Sequence, residues 1–266
     1  MERIADRDAP VTNGARRGNM LPMFRLEMDG PVARVVIDRG SRRNAIPIAG
    51  WSALERVVGE AAAREVRLVV IISADPQSFC AGADLSEFPM LVEDVRKRHI
   101  FRGAMGSALA RIRAVGKPTL AIVEGGCFGA GVSLAMACDM RVAGPQASFA
   151  ITPARFGISY PQADLQRLSD LVGCGQAARL VYAAETIDAA EAHRIGLVET
   201  IDTAQPVGDA MIARIASNAP YSLCALKATL SGRFGVNKRF DDAFSSPDFA
   251  EGWEAFREGR KPDFAR

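Results

Sequence analysis

Two stretches of this chain are apolar on nearly every position rather than on alternate ones. Residues 66–72 read VRLVVII, a near-continuous β-branched run, and residues 118–123 read PTLAIV. A strand with one wet face alternates apolar and polar residues. A strand without that alternation must be covered on both faces, which happens mostly in parallel sheets flanked by helices. Residues 140–143 (MRVA) read as a third inner strand. Each of the first two runs opens into a segment dominated by small residues, SFCAGADLSEF at 78–88 and EGGCFGAGVSLAMACD at 124–139, the latter becoming an apolar helix. Strand, small-residue loop, helix and strand again is the pattern of an α/β core.

The flanking segments fit the same class. Residues 24–37 (FRLEMDGPVARVVI) predict two short strands about a turn at Asp29-Gly30. Residues 39–45 form a basic loop, and Pro47 suits the first turn of a helix that follows it. Residues 92–114 carry helical periodicity through Val95, Ile100, Leu109 and Ile112. From Gln162 onward the pattern is helical to the end. The polar Gly/Pro/Asn/Arg mix of residues 1–22 predicts a flexible tail. The expected organisation is therefore that tail, an α/β core over 23–205 and a helical C-terminal subdomain over 206–266.

Several function classes are disfavoured at once. Lys plus Arg is 33 against 31 Asp plus Glu, a net charge of +2, and aromatic residues are 7%. Neither the charge nor the rings give a nucleic-acid footprint. The five cysteines (80, 127, 138, 174, 224) contain no C-x-x-C pair, which predicts reduced thiols and a cytoplasmic protein rather than a disulfide framework or zinc site. With two histidines, His99 and His193, no His-rich metal centre is expected. No run reaches the ~18 apolar residues of a membrane span, and the first twenty residues lack the apolar segment of a signal peptide.

The two small-residue loops carry the chemistry. Backbone N–H groups around Gly82 and Ala83 can face a ligand, and those of Gly129, Ala130 and Gly131 begin a helix, where free donors and the dipole favour an anion. Two such donors from separate loops can hold one oxyanion. The competing reading is that such turns only let a helix pack closely. A dinucleotide fingerprint fails, because its third glycine falls at Leu134, and there is no P-loop.

Five ordered segments resemble the crotonase superfamily of enoyl-CoA hydratases and isomerases. They are DRGSRRNAI (38–46), Phe79-Cys80-Ala81-Gly82-Ala83-Asp84-Leu85, the stretch from Lys117-Pro118 to Asp139, AAEAHRIGLV (189–198) and the terminal SPDFAEGWEAFREGRKPDF. The resemblance implies a spiral of ββα units, a helical C-terminal trimerisation subdomain and a homotrimer or hexamer. It also implies a CoA thioester substrate, coenzyme A being part of the substrate rather than a resident cofactor. Its enolate would be held by the N–H groups of Ala83 and Ala130. The family usually has glycine at the second position. The Ala81 carbonyl matches the site that receives the adenine amino group. Arg42 and Arg43 lie where CoA phosphates are met, with Ala45, Gly82, Asp84 and Leu85 in the same binding segments.

Two departures from the family pattern stand out. Hydratases of the family place two glutamates across the double bond. Those positions hold Ser133 and Pro153 here. The segment TPARFGISYP ends in Tyr160 and is similar to that of a methylmalonyl-CoA decarboxylase branch whose tyrosine contacts the leaving carboxylate. That branch has a histidine at the position of Ala83. Decarboxylation of a malonyl-type CoA and acyl-CoA binding without turnover are accordingly the alternatives to hydratase or isomerase activity. Tyr160 can also simply pack with its hydroxyl tied to a neighbour. Ser133 as a nucleophile needs an adjacent base, and the sequence places neither histidine beside it. Asp84 and Glu87 read as helix-capping carboxylates, and Glu124, Asp139 and Asp164 as weaker candidates still.

Overall fold

The computed structural model describes residues 23–232 and 236–264. The tail expected over 1–22 lies outside them. Strand β1 (Phe24–Asp29) turns through Gly30-Pro31 into antiparallel β2 (Val32–Ile37), with Asp29 opposite Val32. After α1 (Ile48–Ala63), β3 (Leu68–Ser73) runs parallel to β2. The short β4 (Ser78–Cys80) follows, then α2 (Phe88–Glu93), α3 (Val95–Arg113), β5 (Thr119–Val123), β6 (Gly126–Phe128), α4 (Ala130–Ala137), β7 (Met140–Ala143) and β8 (Ser148–Ala150). Next come α5 (Gln162–Val172), α6 (Cys174–Ala183), β9 (Thr186–Asp188), α7 (Ala189–Arg194) and β10 (Thr200–Ile201). Helices α8 (Asp209–Ala216), α9 (Pro220–Leu230), α10 (Val236–Ala243) and α11 (Pro247–Glu258) complete the chain.

The strands form two sheets, β1-β2-β3-β5-β7-β10 and β4-β6-β8-β9. The pairs β3/β4, β5/β6 and β7/β8 each place one strand in the large sheet and the next in the small one. Three such pairs in succession wind the chain into a spiral, and the crossings between the sheets bring the small-residue loops together. The inner strands are parallel, as their unbroken apolar runs require. Leu68, Ile71 and Leu120 are fully buried, each contributing about 1.5–3 kcal/mol relative to exposure.

The structure corrects three local expectations. Residues 78–88 are not all loop, because Ser78–Cys80 pairs with β6 and Leu85–Glu87 makes a 3-10 turn. The helix expected over 92–114 is two helices. It breaks at Asp94, whose Oδ1 accepts from the N–H of Arg96 at 2.8 Å and starts α3. The region after Gln162 contains two short strands, β9 and β10. Segments of two or three residues are too brief for a periodicity to register, and pairing with β8 and β7 decides them.

Ion pairs with one buried and one partly exposed partner fasten the strands β5 and β7 of the large sheet. Arg141 donates through Nε to the Leu197 carbonyl at 2.8 Å and pairs with Glu199, which also accepts the Arg141 N–H. Lys227 of α9 pairs with Asp139, whose other oxygen accepts from the N–H and hydroxyl of Thr119. The C-terminal helices are thereby attached beneath β5 and β7.

Candidate active site

The first loop is held from one side only. The Ala81 N–H donates to the Arg43 carbonyl at 2.9 Å, the Ile46 N–H to the Gly82 carbonyl at 2.7 Å, and the Asp84 N–H to the Ile46 carbonyl at 3.0 Å. This is a parallel bridge between Ile46 and Ala83. In such a bridge the middle residue turns its own N–H to the opposite side. The Ala83 N–H accordingly has no partner among the described residues. Asn44 anchors the supporting segment. It is fully buried, and its side chain bonds the Arg39 N–H, the Ser73 hydroxyl and the Ser78 carbonyl.

The second loop ends in Gly129, whose N–H donates to the Ala150 carbonyl at 2.8 Å. Ala130 is the first residue of α4, so its N–H is one of the free donors of a helix start. It too has no partner among the described residues. The loops interlock through two glycines. A Cβ on Gly82 would stand 2.8 Å from the Phe128 carbonyl oxygen and 3.1 Å from the Ala130 nitrogen, and one on Gly131 would stand 2.3 Å from the Cys80 carbonyl oxygen. Gly131→Ala is therefore expected to destabilise the fold by about 3 kcal/mol, the upper end for overpacking a closed core. Urea denaturation checks it; an unchanged midpoint would show that the loops have slack.

Ala83 and Ala130 both line one cavity of about 330 Å³. Phe88, Phe101, Met105, Phe128, Phe156 and Ile158 make its wall largely apolar, and Arg43 and Arg155 border it. Among the described residues that line it there is no Asp or Glu. Tyr160 is among the lining residues, and its hydroxyl is tied within the protein, accepting from Ser133 Oγ at 2.5 Å and donating to the Gly129 carbonyl at 2.8 Å. Burial pushes the Tyr160 phenol far up, with the Ser133 bond offsetting part of the rise. Burial favours the protonated form of the nearby thiols, desolvation pushing Cys80 up to about 12 and lifting Cys127 as well.

Comparison with known proteins decides the family. The family model for enoyl-CoA hydratase/isomerase matches residues 27–266. The chain belongs to the enoyl-CoA hydratase/isomerase family. It is 33% identical over 254 residues to a short-chain-enoyl-CoA hydratase of Clostridium acetobutylicum, covering 89% of this chain and 95% of that one. It is 35% identical over 214 residues to a crotonyl-CoA hydratase of Syntrophomonas wolfei, covering 75% and 80%. The crystal structure of an enoyl-CoA hydratase/isomerase family protein from Hyphomonas neptunium superposes with a TM-score of 0.86 at 34% identity, covering 92% of this chain and 97% of that one. The mixed α/β fold with its helical C-terminal region is thus that of enoyl-CoA hydratase/isomerase enzymes.

Within this family member the remaining residues singled out from the sequence divide into two groups. Arg43, Ala81 and Leu85 line the cavity with Ala83, Ala130 and Tyr160. Arg42 is exposed and outside that lining, and the Ala45 carbonyl accepts from Arg39 at 2.6 Å. Asp84 is turned inward, bonding Arg39 at 2.7 Å and capping the 3-10 turn through Ser86. Burial raises its pKa, but the Ser86 and Arg39 bonds outweigh that and hold it below the ordinary carboxylate value. The capping alternative describes its side chain. Ser133 is buried under the cavity rather than in its wall. His193 bonds the Val198 carbonyl at 3.1 Å, and His99 lies in a neighbouring cleft beyond Phe101.

One residue ranked low from the sequence is brought next to Ser133, outside the cavity lining. Asp164, in the first turn of α5, is 3% exposed and its Oδ2 is buried with no partner among the described residues. Desolvation raises its pKa; Ser133, Arg113 at 3.9 Å and Arg167 partly offset the rise. The signal was present. Asp164 shares a helix face with buried Leu168 and Val172, and a carboxylate on a core face is unusual without a role.

Proposed function

We propose that this enzyme binds an acyl-CoA thioester and stabilises its enolate between the N–H groups of Ala83 and Ala130. The observation that supports the reading is that Ala83 and Ala130, whose amides have no partner among the described residues, come from separate turns and line the same cavity. On this reading the Ala81 carbonyl receives the adenine amino group. Arg42 and Arg43 serve the CoA phosphates, and Ala45, Gly82, Asp84 and Leu85 shape the binding segment. Isothermal titration with butyryl-CoA is expected to give a Kd on the order of micromolar. No binding at millimolar ligand would overturn the proposal.

The absence of a carboxylate among the described lining residues favours a second reading, decarboxylation of a malonyl-type CoA. The electron pair of the breaking C–C bond enters the thioester enolate, carbon dioxide leaves, and the α-carbon takes a proton from water. No carboxylate base is needed to start this reaction. Binding without consumption of any acyl-CoA would instead leave a binding homologue.

Self-association is part of the proposal. Helices α10 and α11 and the link between them expose Phe240, Phe244, Phe249, Trp253 and Phe256, with Trp253 and Phe256 stacked at 5.7 Å. A surface of this kind marks a protein interface. Sedimentation at micromolar concentration is expected to show a homotrimer or hexamer; a monomer alone would contradict it.

A further inference from the structure

We infer that Tyr160 and Ser133 are positioning residues that aim the Ala130 amide at the thioester oxygen, an inference resting on the enolate reading above. The peptide unit joining Gly129 and Ala130 is planar, and in the trans form its C=O and N–H point in opposite directions. Whatever fixes the Gly129 carbonyl therefore fixes the aim of the Ala130 N–H. Two donors do so. The Val132 N–H, at 2.9 Å, belongs to the helix itself. The Tyr160 hydroxyl, at 2.8 Å, comes from a separate segment 31 residues away and ties the plane to the cavity floor.

The direction of each bond follows from the inventory of protons. Tyr160 has one hydroxyl proton, and the Gly129 carbonyl can only accept it. The 2.5 Å contact between Ser133 and Tyr160 is then a bond that Ser133 donates. Ser133 is 1% exposed, so no bulk water competes for its hydroxyl. It stands one helical turn beyond Gly129 on α4, so the Gly129 carbonyl, Tyr160 and Ser133 make a closed brace on the first turn of the helix. The Asp164 carboxyl, close to Ser133 and 3.9 Å from Arg113, extends this polar cluster behind the brace. Buried hydroxyl bonds often only hold a core together, and a purely structural role would leave the polarity of a bound substrate untouched. Aiming an oxyanion donor would not, since such donors act through distance and angle to the developing charge.

The test uses the full chain and butyryl-CoA carrying ¹³C at the thioester carbonyl. Isotope-edited infrared difference spectra read the carbonyl stretch, titration calorimetry reads affinity, and thermal melting checks the fold. Wild type is expected to shift the stretch to lower wavenumber on binding. Tyr160→Phe and, independently, Ser133→Ala are expected to lose most of that shift while affinity changes by no more than about threefold, as for a group acting after binding. If Tyr160→Phe does not fold, Ser133→Ala alone decides. A variant that binds and keeps the full shift overturns the positioning role and leaves the enolate reading standing. A wild type that binds with no shift, or does not bind, overturns both.

Discussion

Hydration of crotonyl-CoA by this enzyme is expected to run at least ~10²-fold below that of a hydratase carrying both family glutamates. Each general acid or base contributes ~10²–10⁴ in rate. At the first position Ser133 lies beneath the cavity with its hydroxyl committed to Tyr160. At the second, Pro153 presents a ring to the cavity. No lining carboxylate among the described residues replaces either one. The buried acids Asp84 and Asp164 both lie outside the lining. Water entering this apolar cavity would find the thioester polarised but would meet no carboxylate to take its proton. The ultraviolet absorbance of crotonyl-CoA follows the reaction directly. Turnover at the rate of an ordinary hydratase would mean that another group supplies the proton chemistry, and the reading of Ser133 and Pro153 would fall.

The second large effect is expected from Ala130→Pro. Proline removes one N–H and fixes φ near −65°, which is harmful inside a helix but tolerated at its first residue, where the N–H has no helical partner. Ala130 is that residue. Its predecessor is glycine, which is least troubled by a following proline. The fold should therefore persist while one oxyanion donor is deleted, at a cost of ~10²–10³ in kcat/KM on any acyl-CoA that the wild type turns over. Circular dichroism establishes the fold and steady-state kinetics the loss. A folded variant with wild-type kcat/KM would remove Ala130 from the chemistry.

Much of this was legible in the residues. The unbroken runs at 66–72 and 118–123 required strands covered on both faces, and they are parallel inner strands of the large sheet. The Gly and Ala segments after them were legible as places of close approach, and Gly82 and Gly131 are where the two loops touch. The short strands of the small sheet were not legible. Three residues give no periodicity, and their pairing partners lie dozens of residues away. The fate of Asp84 and Asp164 was unreadable for a related reason. Both are carboxylates near small-residue segments. One is satisfied by Arg39 and Ser86, and the other keeps a buried oxygen with no partner among the described residues although Ser133 and Arg113 stand near it.

Local order thus determined the kind of sheet and the positions of the two turns, because each depends on neighbours in the chain, while resemblance to the family pattern showed Ser133 and Pro153 where its glutamates stand. The tertiary structure alone decided that Ala83 and Ala130 share a cavity, that this cavity has no carboxylate in its described wall, and that Ser133, Tyr160 and Gly129 are joined. Those facts depend on how α4 packs between the sheets and α5, a matter of distances in space that no spacing along the chain encodes.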